Sequence, residues 1–178
     1  MSYYETSFNK GYDTGRDYNL SVAAAQVNGT LLMPGDTFSY AEKTQAVESS
    51  YKDAMVIGEN NQYVPGNAGG ICQVSTTLYN AVMRANIRSV ERHNHSIASG
   101  YVPVGLDATV SWGYLDYRFE NTYDFPIYLY AAIVGNTVQV AVYGDPSAME
   151  GKTYSMIGEV EVKKAENKQI AKSYLITY

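Results

Sequence analysis

The chain has one cysteine, two histidines, one tryptophan and five prolines among its 178 residues. A single cysteine excludes an internal disulfide and leaves the redox compartment open. There is no C-x-x-C or H-E-x-x-H spacing, so no metal or cofactor is expected, although Cys72, His93, His95 and Asp107 are acceptable zinc ligand types. No apolar run approaches the length of a membrane span, and the N-terminus does not read as a signal peptide. A targeting segment is therefore expected to lie outside this chain. Lysine and arginine do not cluster, and the net charge is −5. That balance lacks the basic footprint of a nucleic-acid binder. Internal repeats and low-complexity tracts are also missing.

What is present fits one globular domain, long enough to bury a real core, with or without a tail. Tyrosine is over-used, with 18 against four phenylalanines. Its ring packs while its hydroxyl stays wet, which suits a half-exposed sheet or a groove for sugars or peptides.

The most informative stretch is Gly69-Gly70-Ile71-Cys72-Gln73-Val74-Ser75-Thr76-Thr77-Leu78-Tyr79-Asn80. Apolar residues recur at Val74, Leu78, Ala81, Val82 and Ala85, the stripe of a helix with one face in a core. The spacing predicts a main helix over about 72–86, stopping near Asn86. Cys72 then falls in the first turn, where free N–H groups and the positive dipole end stabilise a thiolate. The other reading of Cys72 is a small buried hydrophobe.

Before this helix the chain reads as an extended lead-in over 1–18, with Asn19 capping a short helix over 20–27. A strand follows over 30–33, then a Pro34-Gly35 turn. Residues 41–50 read as a short helix or a loop. Residues 52–57 and 62–64 read as paired strands about a turn, and 65–70 as a flexible approach to the cysteine helix. After the helix, 88–95 reads as extended, which would put His93 and His95 on one face. Residues 107–112 and 115–120 alternate and predict a hairpin closed at Gly113-Tyr114, pairing Val110 with Tyr117 and Ala108 with Phe119. Residues 127–134 and 137–143 flank Gly135-Asn136, a second hairpin with both faces largely apolar and so expected to be covered. Residues 154–163 read as one more strand, and 166–178 as a tail or the start of a following module.

The chain resembles the VanW-like domain of bacterial cell-envelope proteins associated with glycopeptide-resistance clusters. The resemblance rests on Arg16-Asp17-Tyr18-Asn19-Leu20, Pro34-Gly35-Asp36-Thr37-Phe38-Ser39-Tyr40, the string Gly69 to Asn80, Glu91-Arg92-His93-Asn94-His95-Ser96, and Tyr101-Val102-Pro103 with Gly105 and Asp107-Ala108-Thr109-Val110. It covers about 16–145. It implies a bacterial, extracytoplasmic protein, often membrane-anchored in full length, with a peptidoglycan or antibiotic-response context. It supplies no reaction.

The chemistry comes from the residues. A cysteine nucleophile needs a base, and the base needs an orienting group. The chain offers Cys72, then His93 or His95, then Asp107 or Asp116. That order is similar to papain-like and transglutaminase-like enzymes, although Asp107 stands where that architecture places its histidine. Either His95 enters from the neighbouring strand, or the site has no base. The catalytic candidates are Cys72 as nucleophile, His95 as base and Asp107 as orienting acid. Gly69, Gly70, Gln73, Ser75 and His93 are the candidate substrate-binding residues. The reaction would be acyl transfer or hydrolysis on a peptidoglycan stem peptide. A non-catalytic module, binding a peptide carboxylate at the helix N-terminus, is the alternative. Asp116, Arg118 and Glu120 read as a solvated charge ladder and Trp112 as core. The expected fold is α+β, one main helix on a mostly antiparallel sheet, with a papain- or transglutaminase-like core as the candidate architecture. The expected organisation is a lead-in over 1–18, a domain over 19–145 and a C-terminal strand and tail over 146–178.

Overall fold

The structure, a computed structural model, describes residues 1–163 and 168–178. In chain order its first half contains β1 (Ser2–Ser7), α1 (Thr14–Val27), β2 (Thr30–Leu32), β3 (Thr37–Ser39), α2 (Tyr40–Gln45), β4 (Asp53–Ile57), β5 (Tyr63–Asn67) and α3 (Ile71–Arg84). The second half holds the strands β6 (Ser89–Glu91), β7 (Arg118–Glu120), β8 (Ile127–Val134), β9 (Thr137–Tyr143), β10 (Tyr154–Lys163) and β11 (Lys168–Thr177), with a short 3-10 turn at Pro146–Met149. The class is α+β with antiparallel pairing throughout the described strands. Two helices of 14 residues share the structural role expected of one. Among the described residues, no helix is long and apolar enough to cross a membrane.

The main sheet runs β1-β9-β8-β2. Its centre is the Gly135-Asn136 hairpin, paired from Val134–Thr137 out to Tyr128–Tyr143. Ile127, Leu129, Ala131, Val138, Val140 and Val142 point inward and are buried. Helix α1 packs on β8, and α3 packs on β1 and β9. The outer face was expected to be covered as well, yet Tyr128 is 40% and Tyr143 54% exposed. Tyrosine rings with wet hydroxyls let this face meet water without a second layer. On α3, Val74, Leu78, Ala81 and Val82 are buried against the sheet. Full burial of a leucine such as Leu78 stabilises by about 2 kcal/mol.

Three local expectations are corrected. Helix α1 starts at Thr14, because Asp13 caps it by accepting from Arg16 N at 3.0 Å. Asn19 is thus a buried residue inside the helix rather than its cap. Second, 65–70 is not a free approach: β5 runs through Asn67 and pairs with β4 down to Asp53–Asn67. Third, 107–120 does not close as the expected hairpin. Only a Ser111–Leu115 bridge forms, around a three-residue loop. Arg118–Glu120 pairs instead with β3 and β6. The alternation itself is real, since Ala108, Val110, Tyr117 and Phe119 are all buried. Its partner is α3, which bonds the backbone of 106–110 through side chains.

At the ends, Ser2–Ser7 of the lead-in is an edge strand of the main sheet. Lys168–Thr177, within the segment read as a tail, pairs with β10 along its length; residues 166 and 167 lie outside those described. Gly158 of β10 packs so tightly on the Val104 carbonyl oxygen that no Cβ fits there.

Candidate active site

Helix α3 is capped by Gly70, whose φ of 106° lies in the left-handed region that favours glycine. Gly69 comes so close to β4 that a Cβ would sit 2.7 Å from Met55 O. The buried Asn19 amide holds this turn, donating to Gly69 O at 3.0 Å and Lys52 O at 2.8 Å and accepting from Lys52 N at 2.8 Å. Tyr40 Oη donates to Ile71 O at 2.8 Å. The first turn is therefore fixed from three sides, and Cys72 sits in it. The Cys72 N–H finds no acceptor among the described residues, which leaves it available to an anion.

Cys72 Sγ lies 3.4 Å from both Val110 N and Val110 O and 3.7 Å from Thr109 Oγ1. Burial pushes its thiol up. The adjoining His95 imidazole, Val110 and Thr109 more than offset that and hold the pKa below its ordinary value. His95 has a side chain only 7% exposed, with Nδ1 2.5 Å from Asp107 Oδ2. Its backbone N–H donates to the same oxygen at 2.6 Å. Burial opposes a charged ring here, but Asp107 and Cys72 prevail and raise the His95 pKa to about 9. Burial likewise opposes the Asp107 carboxylate, and His95 and Arg92 hold it below the usual carboxylate range. Arg92 bonds Asp107 twice, Nη2 to Oδ1 at 3.2 Å and Nε to Asp107 O at 2.7 Å, and its Nη2 also donates to Gly105 O at 2.8 Å. All three shifts favour one arrangement, thiolate, imidazolium and carboxylate in series, and the first two titrate as a pair.

These groups open onto a cleft of about 770 Å³. Its walls include Met55, Ile57 and Tyr63 from the β4–β5 hairpin, Tyr101, Trp112, and the polar Arg16 and Thr109. Cys72, His95, Gly69, Gly70 and Gln73 all line it. Asp107 is not in the wall and touches His95 from behind. Gln73 is committed: Nε2 donates to Thr6 Oγ1 and Ser7 O, each at 3.0 Å, and Oε1 accepts from Arg16 Nη2 at 2.5 Å.

Two candidate residues are elsewhere. Ser75 is fully buried and donates to Ala108 O at 2.6 Å, a strut between α3 and the Asp107 segment. His93 does not share a face with His95, because β6 ends at Glu91 and only an isolated His93–Thr109 bridge follows. Its Nε2 lies 2.9 Å from Glu91 Oε1, and its side chain is 40% exposed. Asp116 is neither the orienting acid nor a solvated charge. It accepts from Ser39 Oγ at 2.6 Å, Ala41 N at 2.7 Å and Tyr117 N at 2.6 Å, holding the start of α2. Trp112 lines the cleft, its Nε1 donating to Thr44 Oγ1 at 3.0 Å.

Sequence reading missed Arg16 and Arg92 as site residues. Arg92 lies three residues before His95 in the quoted string, and that neighbourhood was the available signal. Arg16 opens the string Arg16 to Leu20 but reaches the site from α1, 57 residues from Gln73, a contact no local pattern shows. Among the described residues, no group of three His, Cys, Asp or Glu side chains is placed to hold a metal ion.

A relative from Bacillus subtilis (strain 168), the uncharacterized protein YoaR, is 39% identical over 147 residues, covering 80% of this chain and 47% of that protein. The vancomycin B-type resistance protein VanW of Enterococcus faecalis (strain ATCC 700802 / V583) is 26% identical over 184 residues, covering 94% of this chain and 66% of that protein. The chain thus spans less than two thirds of the length of either relative. No solved structure matches it significantly. The VanW-like protein family model matches residues 15–143, a span that contains α3, the His95–Asp107 pair and the cleft, and the chain belongs to that family.

Proposed function

We propose that this domain is a cysteine-dependent acyl transferase or hydrolase acting on peptidoglycan-related peptide outside the cytoplasm. One observation carries the reading: Cys72 and a buried, Asp107-bound His95 line one cleft, where their electrostatics favour the thiolate–imidazolium pair. That is the nucleophile, base and orienting acid of covalent acyl chemistry. The order cysteine at a helix start, histidine, then acid follows papain and transglutaminase logic, with the histidine entering from the segment before Asp107. The peptidoglycan context rests on the family and on a relative named as a vancomycin resistance protein.

In the first step the Cys72 thiolate attacks an amide carbonyl carbon. The Cys72 N–H faces the oxyanion that develops. The C–N bond breaks, and His95 gives its proton to the leaving amine. In the second step water or an acceptor amine attacks the thioester. His95 takes the proton, and the thiolate leaves as the imidazolium reforms.

The test is intact-mass analysis of the protein incubated with a stem-peptide donor. An acyl adduct on Cys72, absent from Cys72→Ser, is expected. Retained peptide binding by Cys72→Ala, with no adduct on the wild type, would replace catalysis by the second reading, a binding module. The Cys72 N–H at the start of α3, unpaired among the described residues, is the group that a peptide carboxylate would use in that second reading.

A further inference from the structure

We propose that Arg16 is a carboxylate-binding subsite of the cleft, so that the peptide this domain takes carries a free carboxylate beside the acyl group facing Cys72. The proposal deepens the cysteine-dependent reading above and rests on it for the substrate's peptide nature.

Charge is the first argument. The chain has 18 acidic residues and a net charge of −5, yet among the described residues no aspartate or glutamate lines the cleft. Among the described lining residues Arg16 is the one lysine or arginine. A permanent cation in such a wall selects an anion.

Arg16 is also held without being neutralised. Its Nη2 donates to Gln73 Oε1 at 2.5 Å. The Gln73 amide is oriented by its own bonds to Thr6 and Ser7, so its oxygen faces the guanidinium. Asp13 and Asp17 lie nearby in sequence but serve backbone: Asp13 Oδ1 takes Arg16 N at 3.0 Å, and Asp17 Oδ2 takes Gly11 N at 2.6 Å. Among the described residues no carboxylate forms an ion pair with Arg16. The remaining N–H donors of the planar fork suit two-point binding of a carboxylate.

Position supplies the third argument. A Cβ on Gly70 would meet Arg16 Nη1 at 2.8 Å and Arg16 Cγ at 3.0 Å. The guanidinium therefore lies against the residue that caps the cysteine helix, two positions before Cys72, and Gly70 is what admits it. Burial raises the pKa of the Tyr101 phenol, another residue of the cleft wall, and the Arg16 charge reaches far enough to oppose that rise in part. A ligand carboxylate on Arg16 would sit within the same turn's reach as the reacting thiol.

The test uses Cys72, the chain's one thiol, as reporter. In iodoacetate or iodoacetamide labelling the thiolate displaces iodide and an S–C bond forms. The two reagents differ in a carboxylate against an amide. The rate ratio, iodoacetate over iodoacetamide, is measured for the wild type, Arg16→Gln and Arg16→Lys, with folding checked by circular dichroism. The ratio should fall about tenfold or more in Arg16→Gln, as expected for a lost charge-assisted hydrogen bond, and recover partly in Arg16→Lys. A ratio unchanged within twofold in Arg16→Gln overturns the proposal. As a second measurement, N-acetyl-alanyl-alanine and its C-terminal amide are titrated against wild type and Arg16→Gln by NMR. Tighter binding of the acid, lost in the variant, supports the subsite, and equal binding of acid and amide by the wild type counts against it. A preference for the acid with no acyl adduct on Cys72 would sink the enzyme and keep the subsite. An adduct with no preference would do the reverse.

Discussion

Replacing Asp107 by asparagine should turn off the Cys72 thiolate at neutral pH while leaving the fold in place. The amide keeps the carboxylate's shape but removes its charge, and one of the donors now gathered on it, His95 Nδ1, His95 N or Arg92 Nη2, meets an NH₂ group instead. The rise of the His95 pKa from 6.5 to about 9 is worth about 3 kcal/mol in favour of the charged ring, at 1.36 kcal/mol per tenfold change in proton affinity. Asp107 and Cys72 both contribute to it. His95 in Asp107→Asn loses Asp107's part of that preference, and the neutral-pH alkylation rate of Cys72 should drop on the order of tenfold. The assay is iodoacetamide labelling across pH 5–10. In the wild type the rate profile should rise at a pH below that of an ordinary thiol, and in Asp107→Asn it should shift upward. Superimposable profiles, with thermal melts showing both proteins folded, would refute the reasoning. A wild-type profile with an ordinary thiol midpoint would refute it at the start.

The same pair makes stability depend on pH in a way that one substitution separates. His95 has its pKa raised on folding, so its contribution is full below 6.5 and is lost as pH rises through about 9. Cys72 has its pKa lowered from 9.0, so its contribution is full above 9.0 and is lost as pH falls through the lowered value. Just below pH 9 the two trends oppose each other. Cys72→Ser keeps only the part of the histidine trend that Asp107 supplies, so its urea midpoint should fall more steeply just above pH 6.5 than the wild type's; a steeper wild-type fall would count against the pair. Gly70→Ala places a methyl group at a φ of 106° and 2.8 Å from Arg16 Nη1, which should cost roughly 1–3 kcal/mol in denaturant unfolding and lower the iodoacetate preference as well. Asn19→Ala strips bonds from Lys52 and Gly69 in a buried turn and should cost roughly 2–4 kcal/mol by the same measurement; a loss under 1 kcal/mol would show that water replaces the amide.

Elements whose partners are close in sequence were legible. The Gly135-Asn136 hairpin and the cysteine helix follow from turn chemistry and an apolar period, and both are where the residues put them. Helix α1 runs through Gly15, a residue that disfavours helix interiors, so its first turn falls within the expected lead-in. The close approach of Gly15 to the Asp53 carbonyl oxygen, where no Cβ fits, explains the glycine, and that contact is invisible locally. The choice between Asp107 and Asp116 needed geometry too. Both are acids on alternating segments, and only the path of 107–110 along α3 brings one of them behind His95. Arg16 was beyond reach for the same reason, since its meaning depends on Gln73, Gly70 and a cleft assembled from four separate segments.

The string from Gly69 to Asn80 is specific because α3 serves two surfaces at once. One stripe, Val74, Leu78, Ala81 and Val82, is apolar and packs on the main sheet. A second stripe is polar and equally buried. Ser75 donates to Ala108 O, Thr76 Oγ1 accepts from Ala108 N at 2.9 Å, and Asn80 Nδ2 donates to Leu106 O at 2.7 Å. Hydroxyls and amides in a helix interior cost stability unless they are bonded, and here each one is bonded to the segment that carries Asp107. That segment pairs with its neighbours only through isolated bridges, so the helix side chains replace the missing sheet ladder and set its register. Asp107 is thereby placed behind His95, and Val110 beside the sulfur. The helix that presents the thiol also aligns the groups that ionise it, and a change at Thr76 or Asn80 would act on Cys72 without touching it.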